Sequence, residues 1–256
     1  MEIIIEPDYG TVCDRAAQLV QAELARKPDL VLGLATGKTP LGLYERLRRN
    51  PEAFAKVICF NLDELYGLGP ENPASFHSIL RRHFVDHVKM EPRNVRLLRG
   101  DVKDLEAASD AYEASIRAAG GIDLQLLGLG RNGHIAFNEP GSSLGSRTRP
   151  KTLTPETMTQ YLDNPETAAQ LPNWAITMGI GTIMEARKLL MMVSGADKAQ
   201  VVEWFVEGPL AAEVPASMTQ LHPRAVVILD EAAASRLKRV DYYKWVFANK
   251  WRVGQK

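Results

Sequence analysis

Short apolar runs that alternate with helical patterns constrain this chain more than any other feature. The runs Ile3–Ile5, Leu30–Leu34, Val57–Asn61, Val95–Leu98, Ile122–Leu127, Ala175–Met178, Lys188–Val193 and Ala225–Leu229 each have the length of a strand. Between them, Val12, Ala16, Leu19, Val20 and Leu24 recur at helical spacing and predict a helix over 11–26. Further helices are expected over 74–88 and 105–118. Two more should start at Thr39-Pro40, with Thr39 as N-cap, and at Lys198, ahead of Val201, Val202, Phe205 and Val206. Such alternation predicts an α/β fold: one doubly wound, mostly parallel sheet with helices on both faces, in a single domain over residues 1–256. The polar, proline-broken stretch from Thr154 to Pro172 breaks the pattern and reads as a mobile flap over a site, within about 152–174.

Composition narrows the function classes. Lys plus Arg and Asp plus Glu both number 31, so the basic excess of a duplex-binding or membrane-surface protein is missing. Neither a nucleic acid nor a membrane is expected as a partner. Cys13 and Cys59 stand in apolar contexts without metal spacing, which points to a reducing, cytoplasmic setting. The acidic start MEIIIEPDYG is not a signal peptide, and no apolar stretch is long enough to span a bilayer.

Chemistry gathers where strands end. Ile122 to Pro140 reads IDLQLLGLGRNGHIAFNEP, a buried strand that runs into Gly128, Gly130 and Gly133 and then His134 and Glu139. The spacing G-x-G-x-x-G imitates a dinucleotide-binding turn, but Pro140-Gly141 follows where a helix would have to open. What remains is a strand-end loop presenting Asn132, His134 and Glu139, unless the histidine is a core residue and the acid a solvated one. Thr36-Gly37-Lys38-Thr39 resembles the end of a nucleotide-triphosphate loop, yet Gly33 stands one residue too close for that loop to wrap. A smaller cradle for one phosphate monoester, or an ordinary turn with a surface lysine, fits the same residues. Asp63 and Glu64 at another strand end are placed for acid–base work or belong to a solvated turn. Lys198 in a first helical turn opposes the helix dipole, which suits an anion between them or a solvated side chain. His83 and His87 lack an HExxH partner, so a polar helix face is preferred to a metal site. The aromatic tail from Val240 to Val253 reads as a docking helix or a subunit contact. Together the set suits a phosphorylated small molecule undergoing proton transfer beside a carbonyl or imine.

The segments LGLATGKTPLGLY, FNLDELYGL, GLGRNGHIAFNEPGSSLGSRTRPKTLT, ITMGIGTIMEA, SGADKA and LHPRAVVILD occur in the order found in one family. Over nearly its whole length the chain resembles the glucosamine-6-phosphate deaminases. The resemblance implies aldose–ketose isomerisation with deamination, turning an amino sugar phosphate into fructose 6-phosphate and ammonia with no metal and no organic cofactor. It makes Asp63 the base that moves a proton from C2 to C1, His134 the group that opens the sugar ring and Glu139 its supporting acid. Asn132 stands where many members carry aspartate, which removes one charge beside His134. Lys198 and Thr36 to Thr39 match the phosphate site. Ser142, Arg149 and Lys151 match an effector site of hexameric members, so a homo-oligomer, possibly a hexamer, is implied. The flap arginine of the family falls near Gln160 here, and no arginine lies between Arg149 and Arg187. Three neighbouring readings share the pattern: a galactosamine 6-phosphate deaminase, a 6-phosphogluconolactonase-like hydrolase and a sugar-phosphate sensor. The sensor should carry an N-terminal DNA-binding unit, whereas the first strand here begins almost at Met1.

Overall fold

The computed structural model describes residues 1–154, 157–158 and 173–250. Its centre is a seven-stranded parallel sheet in the order β1-β10-β9-β6-β2-β3-β5. The strands are β1 (Glu2–Glu6), β2 (Val31–Leu34), β3 (Ile58–Asn61), β5 (Val95–Arg96), β6 (Leu124–Leu127), β9 (Leu189–Val193) and β10 (Ala225–Asp230). Every residue of β2, β6, β9 and β10 is buried, because helices cover both faces. The helices are α1 (Tyr9–Arg26), α2 (Leu41–Leu47), α3 (Phe76–His83), α4 (Leu105–Ala118), α5 (Ile180–Met184), α6 (Ala199–Glu207) and α7 (Val240–Ala248). The expected doubly wound architecture is therefore the observed one. None of the described helices is long and apolar enough to cross a membrane.

Strand order decides where a ligand can bind. From β2 the chain winds outward through β3 to β5, then returns to β6 on the other side of β2 and winds through β9 to β10. The loops leaving β2 and β6 thus diverge and open a crevice at the carboxyl edge. Gly33 lets those two strands pack: a Cβ there would lie 2.0 Å from the Gln125 amide oxygen of β6. The residue that spoils the nucleotide loop is required by packing inside the sheet.

Beside the main sheet stands a second, three-stranded antiparallel one, β4 (Asp63–Leu65), β8 (Trp174–Thr177) and β7 (Arg149–Thr152), in the order β4-β8-β7. Residues 149–152 carry no strand pattern in their side chains yet form β7, since pairing with β8 satisfies their backbone. A separate apolar cluster of Leu65, Leu68, Phe76, Phe137, Leu153, Met158 and Ala175 joins this sheet to α3 and to the loop after β6.

Two helix starts and stops depart from expectation. Thr39 does not cap α2; Pro40 is already helical at φ −76° and occupies the cap position. The Tyr9 hydroxyl, arriving from α1, accepts from Gly42 N at 3.0 Å and donates to the Thr39 carbonyl at 2.9 Å. The helix expected over 74–88 breaks at Phe84, whose ring packs between Tyr44 and Phe54 with centroids 4.9 and 5.2 Å away, and a 3-10 turn continues it. Of the aromatic tail, α7 packs on β1 and leaves Tyr242 and Trp245 exposed; Trp251 lies outside the described residues.

Candidate active site

Loops leaving four adjacent strands, β9, β6, β2 and β3, line one cleft of about 1190 Å³. Thr36 and Lys38 come from the β2 loop, Asp63 from the first position of β4, two residues past the end of β3, Asn132 and His134 from the β6 loop and Lys198 from the β9 loop. The fold brings together residues that are up to 162 positions apart in the chain, from Thr36 to Lys198.

Asp63 is held by its backbone. Asn61 Nδ2 donates to the Asp63 carbonyl at 2.8 Å, and Asn61 is fixed in turn by Leu98 N at 2.8 Å and by the Tyr112 hydroxyl. Among the described residues no donor reaches the Asp63 carboxylate. Burial, with the Glu64 charge adding to it, raises that carboxyl well above the ordinary aspartate range. Strand alternation sends Glu64 the opposite way, fully buried. The two adjacent carboxylates are not a solvated turn: both are buried, Asp63 faces the cleft where acid–base work is expected of it, and Glu64 faces the interior.

The β6 loop opens no helix after Gly133, as expected; it folds back through an isolated bridge between Ile135 and Asn138. Ala136 adopts a left-handed φ of 50°, rare for a residue with a Cβ, at the wall of the cleft. His134 is 3 % exposed and lies flat against Gly130, where a Cβ would come within 2.3 Å of the imidazole. Glycine at 130 is demanded by the histidine rather than by a pyrophosphate. His134 Nδ1 is 3.7 Å from Glu139 Oε2, and Asn132 Nδ2 donates to that same oxygen at 2.6 Å. The Thr157 hydroxyl donates to Glu139 Oε1 at 2.5 Å. Burial alone would raise the Glu139 carboxyl, but His134, Thr157 and Asn132 outweigh it and hold it at about 2. Glu139 is therefore an anion behind the histidine, fixed by its partners.

Two further cations complete the cleft. Lys198 Nζ donates to the Leu129 carbonyl at 2.9 Å, and burial lowers its proton affinity. Lys38 is exposed, and among the described residues its ammonium meets no carboxylate. The nearby Arg131 is occupied by Asp197 at 3.1 Å. Sequence reasoning missed the contribution of α3: Phe76, Ile79 and His83 recur at helical spacing and line the cleft with Arg82. That stripe has the same pattern as a core-facing one, and only the fold turns it toward the cleft.

Ser142, Arg149 and Lys151 do not join the cleft lining. Ser142 is buried, Arg149 Nη1 donates to Asn138 Oδ1 at 3.0 Å, and Lys151 is half-buried on β7. Gln160 and most of the expected flap lie outside the described residues. Among the described residues no three His, Cys, Asp or Glu side chains are grouped to hold a metal ion.

Known proteins resemble this chain in sequence and in fold. The family described as glucosamine-6-phosphate isomerases/6-phosphogluconolactonase matches residues 9–228. A glucosamine-6-phosphate deaminase of Arthrobacter sp. (strain FB24) is 48 % identical over 254 residues, 98 % of each chain. One from Hahella chejuensis is 47 % identical over 257 residues, covering 99 % of this chain and 98 % of its own. The solved structure of a monomeric glucosamine-6-phosphate deaminase superposes with a TM-score of 0.88 at 37 % identity, over 92 % of this chain and all of that one. A 6-phosphogluconolactonase from Trypanosoma cruzi shares the fold, with a TM-score of 0.73 at 19 % identity over 93 % of this chain and 97 % of its own.

Proposed function

The chain belongs to the family of glucosamine-6-phosphate isomerases and 6-phosphogluconolactonases, and from that premise we propose that it converts glucosamine 6-phosphate and water to fructose 6-phosphate and ammonia. The observation that carries the reading is the pair on one cleft: a buried carboxylate of raised proton affinity, Asp63, and a buried imidazole backed by a fixed anion, His134 with Glu139.

His134 moves a proton between the anomeric hydroxyl and the ring oxygen, so that the pyranose opens to the aldehyde. Glu139 stabilises the imidazolium formed on the way, and Asn132 keeps that carboxylate in place. Asp63 then takes the C2 proton, giving an enolamine, and returns it to C1. The resulting C2 imine adds water and loses ammonia, leaving the ketose. A carboxylate whose pKa lies above the ordinary aspartate range is a stronger base for that carbon acid.

Lys198, the backbone of Thr36 to Thr39 and the Lys38 ammonium form the phosphate grip in this reading. A ligand held at Ser142, Arg149 and Lys151 would reach catalysis through Arg149, which grips Asn138 next to Glu139. The test is Asp63→Asn, assayed for ammonia and fructose 6-phosphate on both the gluco and galacto epimers. Deamination should fall by about 10² or more, as expected for lost acid–base catalysis, with phosphosugar binding kept. Turnover close to that of the unaltered enzyme would remove Asp63 from the role.

A further inference from the structure

Glu64 plays no part in the proton transfers above, yet it is the most enclosed carboxylate at the site, with no exposed surface. Its Oε1 accepts from Leu65 N at 2.8 Å and Phe76 N at 2.9 Å, and its Oε2 from His77 N at 2.7 Å. The first donor belongs to β4 and the other two to the first turn of α3, whose own cap residue, Ser75, receives Ser78 N. One side chain therefore joins the strand that bears Asp63 to the helix whose Phe76 and Ile79 form the cleft wall. A buried carboxylate costs free energy, and an apolar side chain would serve as well if packing were its only task.

We propose that Glu64 is a positioning residue for the base: it locks β4 onto α3 so that Asp63 points into the cleft, and its negative charge strengthens the Asp63 carboxylate as a proton acceptor. Two features of the geometry support the first half. Asp63 has no side-chain donor of its own among the described residues, so its direction is set by the backbone on either side. On one side that backbone is held by Asn61, and on the other by Glu64 through the Leu65 amide. The second half follows from adjacency across a fully buried strand, where solvent screens the two carboxylates little.

Other charges bear on the pair. Asp63 shares the cleft with Lys38 from the β2 loop, His134 from the β6 loop, Lys198 from the β9 loop and Arg82 and His83 from α3. Tyr112 of α4 stands behind it at Asn61, and Arg149 shares its row of the small sheet across Thr177. Glu64 faces His77 of α3 and Asp101 of the loop after β5, the latter paired with Arg99 at 2.8 Å. Burial pushes the Glu64 carboxyl up to about 7 against the three N–H donors that favour its anion.

The inference rests on Asp63 being the base, and the experiment separates the two. Glu64→Gln keeps the volume and one acceptor oxygen but removes the charge. The acid limb of the kcat/KM profile should move down by about one pH unit, the size of effect of a lost neighbouring charge. Glu64→Asp keeps the charge but withdraws it by one methylene from Phe76 N and His77 N. Here kcat should fall roughly 10- to 100-fold with the KM for the phosphosugar unchanged, since a misplacement near 1 Å costs that much. An acid limb that stays put in Glu64→Gln, or full kcat in a folded Glu64→Asp, overturns the proposal. If Glu64→Asp does not fold, the profile of the isosteric Glu64→Gln decides alone. Should Asp63→Asn remain active, the base assignment fails first; should it be inactive while both Glu64 variants behave as wild type, only the positioning role fails.

Discussion

Gly130→Ala adds one methyl group and removes no atom of the proposed proton-transfer residues, so its effect on turnover measures how closely His134 must be held. The new Cβ would sit 2.3 Å from the imidazole Cε1 and Nε2 and 2.4 Å from Cδ2. Carbon atoms rest at about 3.5 Å or more, so the ring must retreat by about 1.2 Å. No left-handed backbone is involved at Gly130, and the three atoms nearest to the added Cβ all belong to the imidazole ring. With His134 only 3 % exposed there is little space to retreat into, and overpacking of this kind costs about 1–3 kcal/mol of stability. A displacement near 1 Å at a proton-transfer group should lower kcat by about 10², or roughly 2.7 kcal/mol in the barrier. The assay follows ammonia and fructose 6-phosphate from the closed pyranose and, in parallel, turnover of an open-chain analogue that bypasses His134. The closed sugar should suffer the full loss and the analogue much less. Gly145→Ala, where an added Cβ meets nothing within 4 Å, is the control. Wild-type kcat on the closed sugar in a folded Gly130→Ala would show that the imidazole does not act from the place it occupies.

Two smaller tests address the charges around that histidine and in the phosphate loop. Lys38→Ala should weaken phosphosugar binding by about 1.5–3 kcal/mol, a KM increase of roughly 10- to 100-fold, and leave unphosphorylated glucosamine unaffected; an unchanged KM would place the ammonium in solvent. Asn132→Asp puts a second carboxylate where Asn132 Nδ2 now lies 2.6 Å from Glu139, so the imidazolium of His134 is favoured and the pH–rate profile should shift upward. A profile that does not move would mean that residue 132 and His134 are uncoupled.

How much of this was legible in the sequence differs from one part to the next, for physical reasons. The parallel sheet was legible because strands buried on both faces read as unbroken apolar runs, as Leu189–Val193 does. Strand-end placement of Asp63, His134 and Lys198 followed from the same runs and the glycines after them. The small sheet was not legible: RPKT of β7 carries no alternation, and its pairing partner β8 comes from a distant segment. The α2 cap was misjudged because the group that replaces Thr39, the Tyr9 hydroxyl, lies 33 residues from the Gly42 amide that it serves. Glu64 was hidden by its neighbour, since two adjacent carboxylates look alike until strand alternation is known to turn them apart.

Surroundings also separate the two acids to which the proposed reaction gives different roles. Asp63 and Glu139 are both almost fully buried carboxyl groups beside the same cleft, 6 % exposed in each case. Burial alone would keep each of them protonated. Glu139 escapes because Asn132 and Thr157 occupy both of its oxygens and His134 stands next to it, so the anion is satisfied and its pKa sits at about 2. A carboxylate so thoroughly hydrogen-bonded has little tendency to take a proton from carbon, and at neutral pH it can only hold and stabilise the histidine. Asp63 has the reverse surroundings, with a like charge behind it on the strand and no donor to its oxygens among the described residues. Its anion is the less satisfied of the two and gains most from accepting a proton. In the proposed reaction, two acids pushed apart in this way would divide base from stabiliser without any difference in their own chemistry. Exchanging the proposed roles would require moving Asn132 and Thr157 across the cleft, so on this proposal the division of labour is set by the partners and not by the carboxylates.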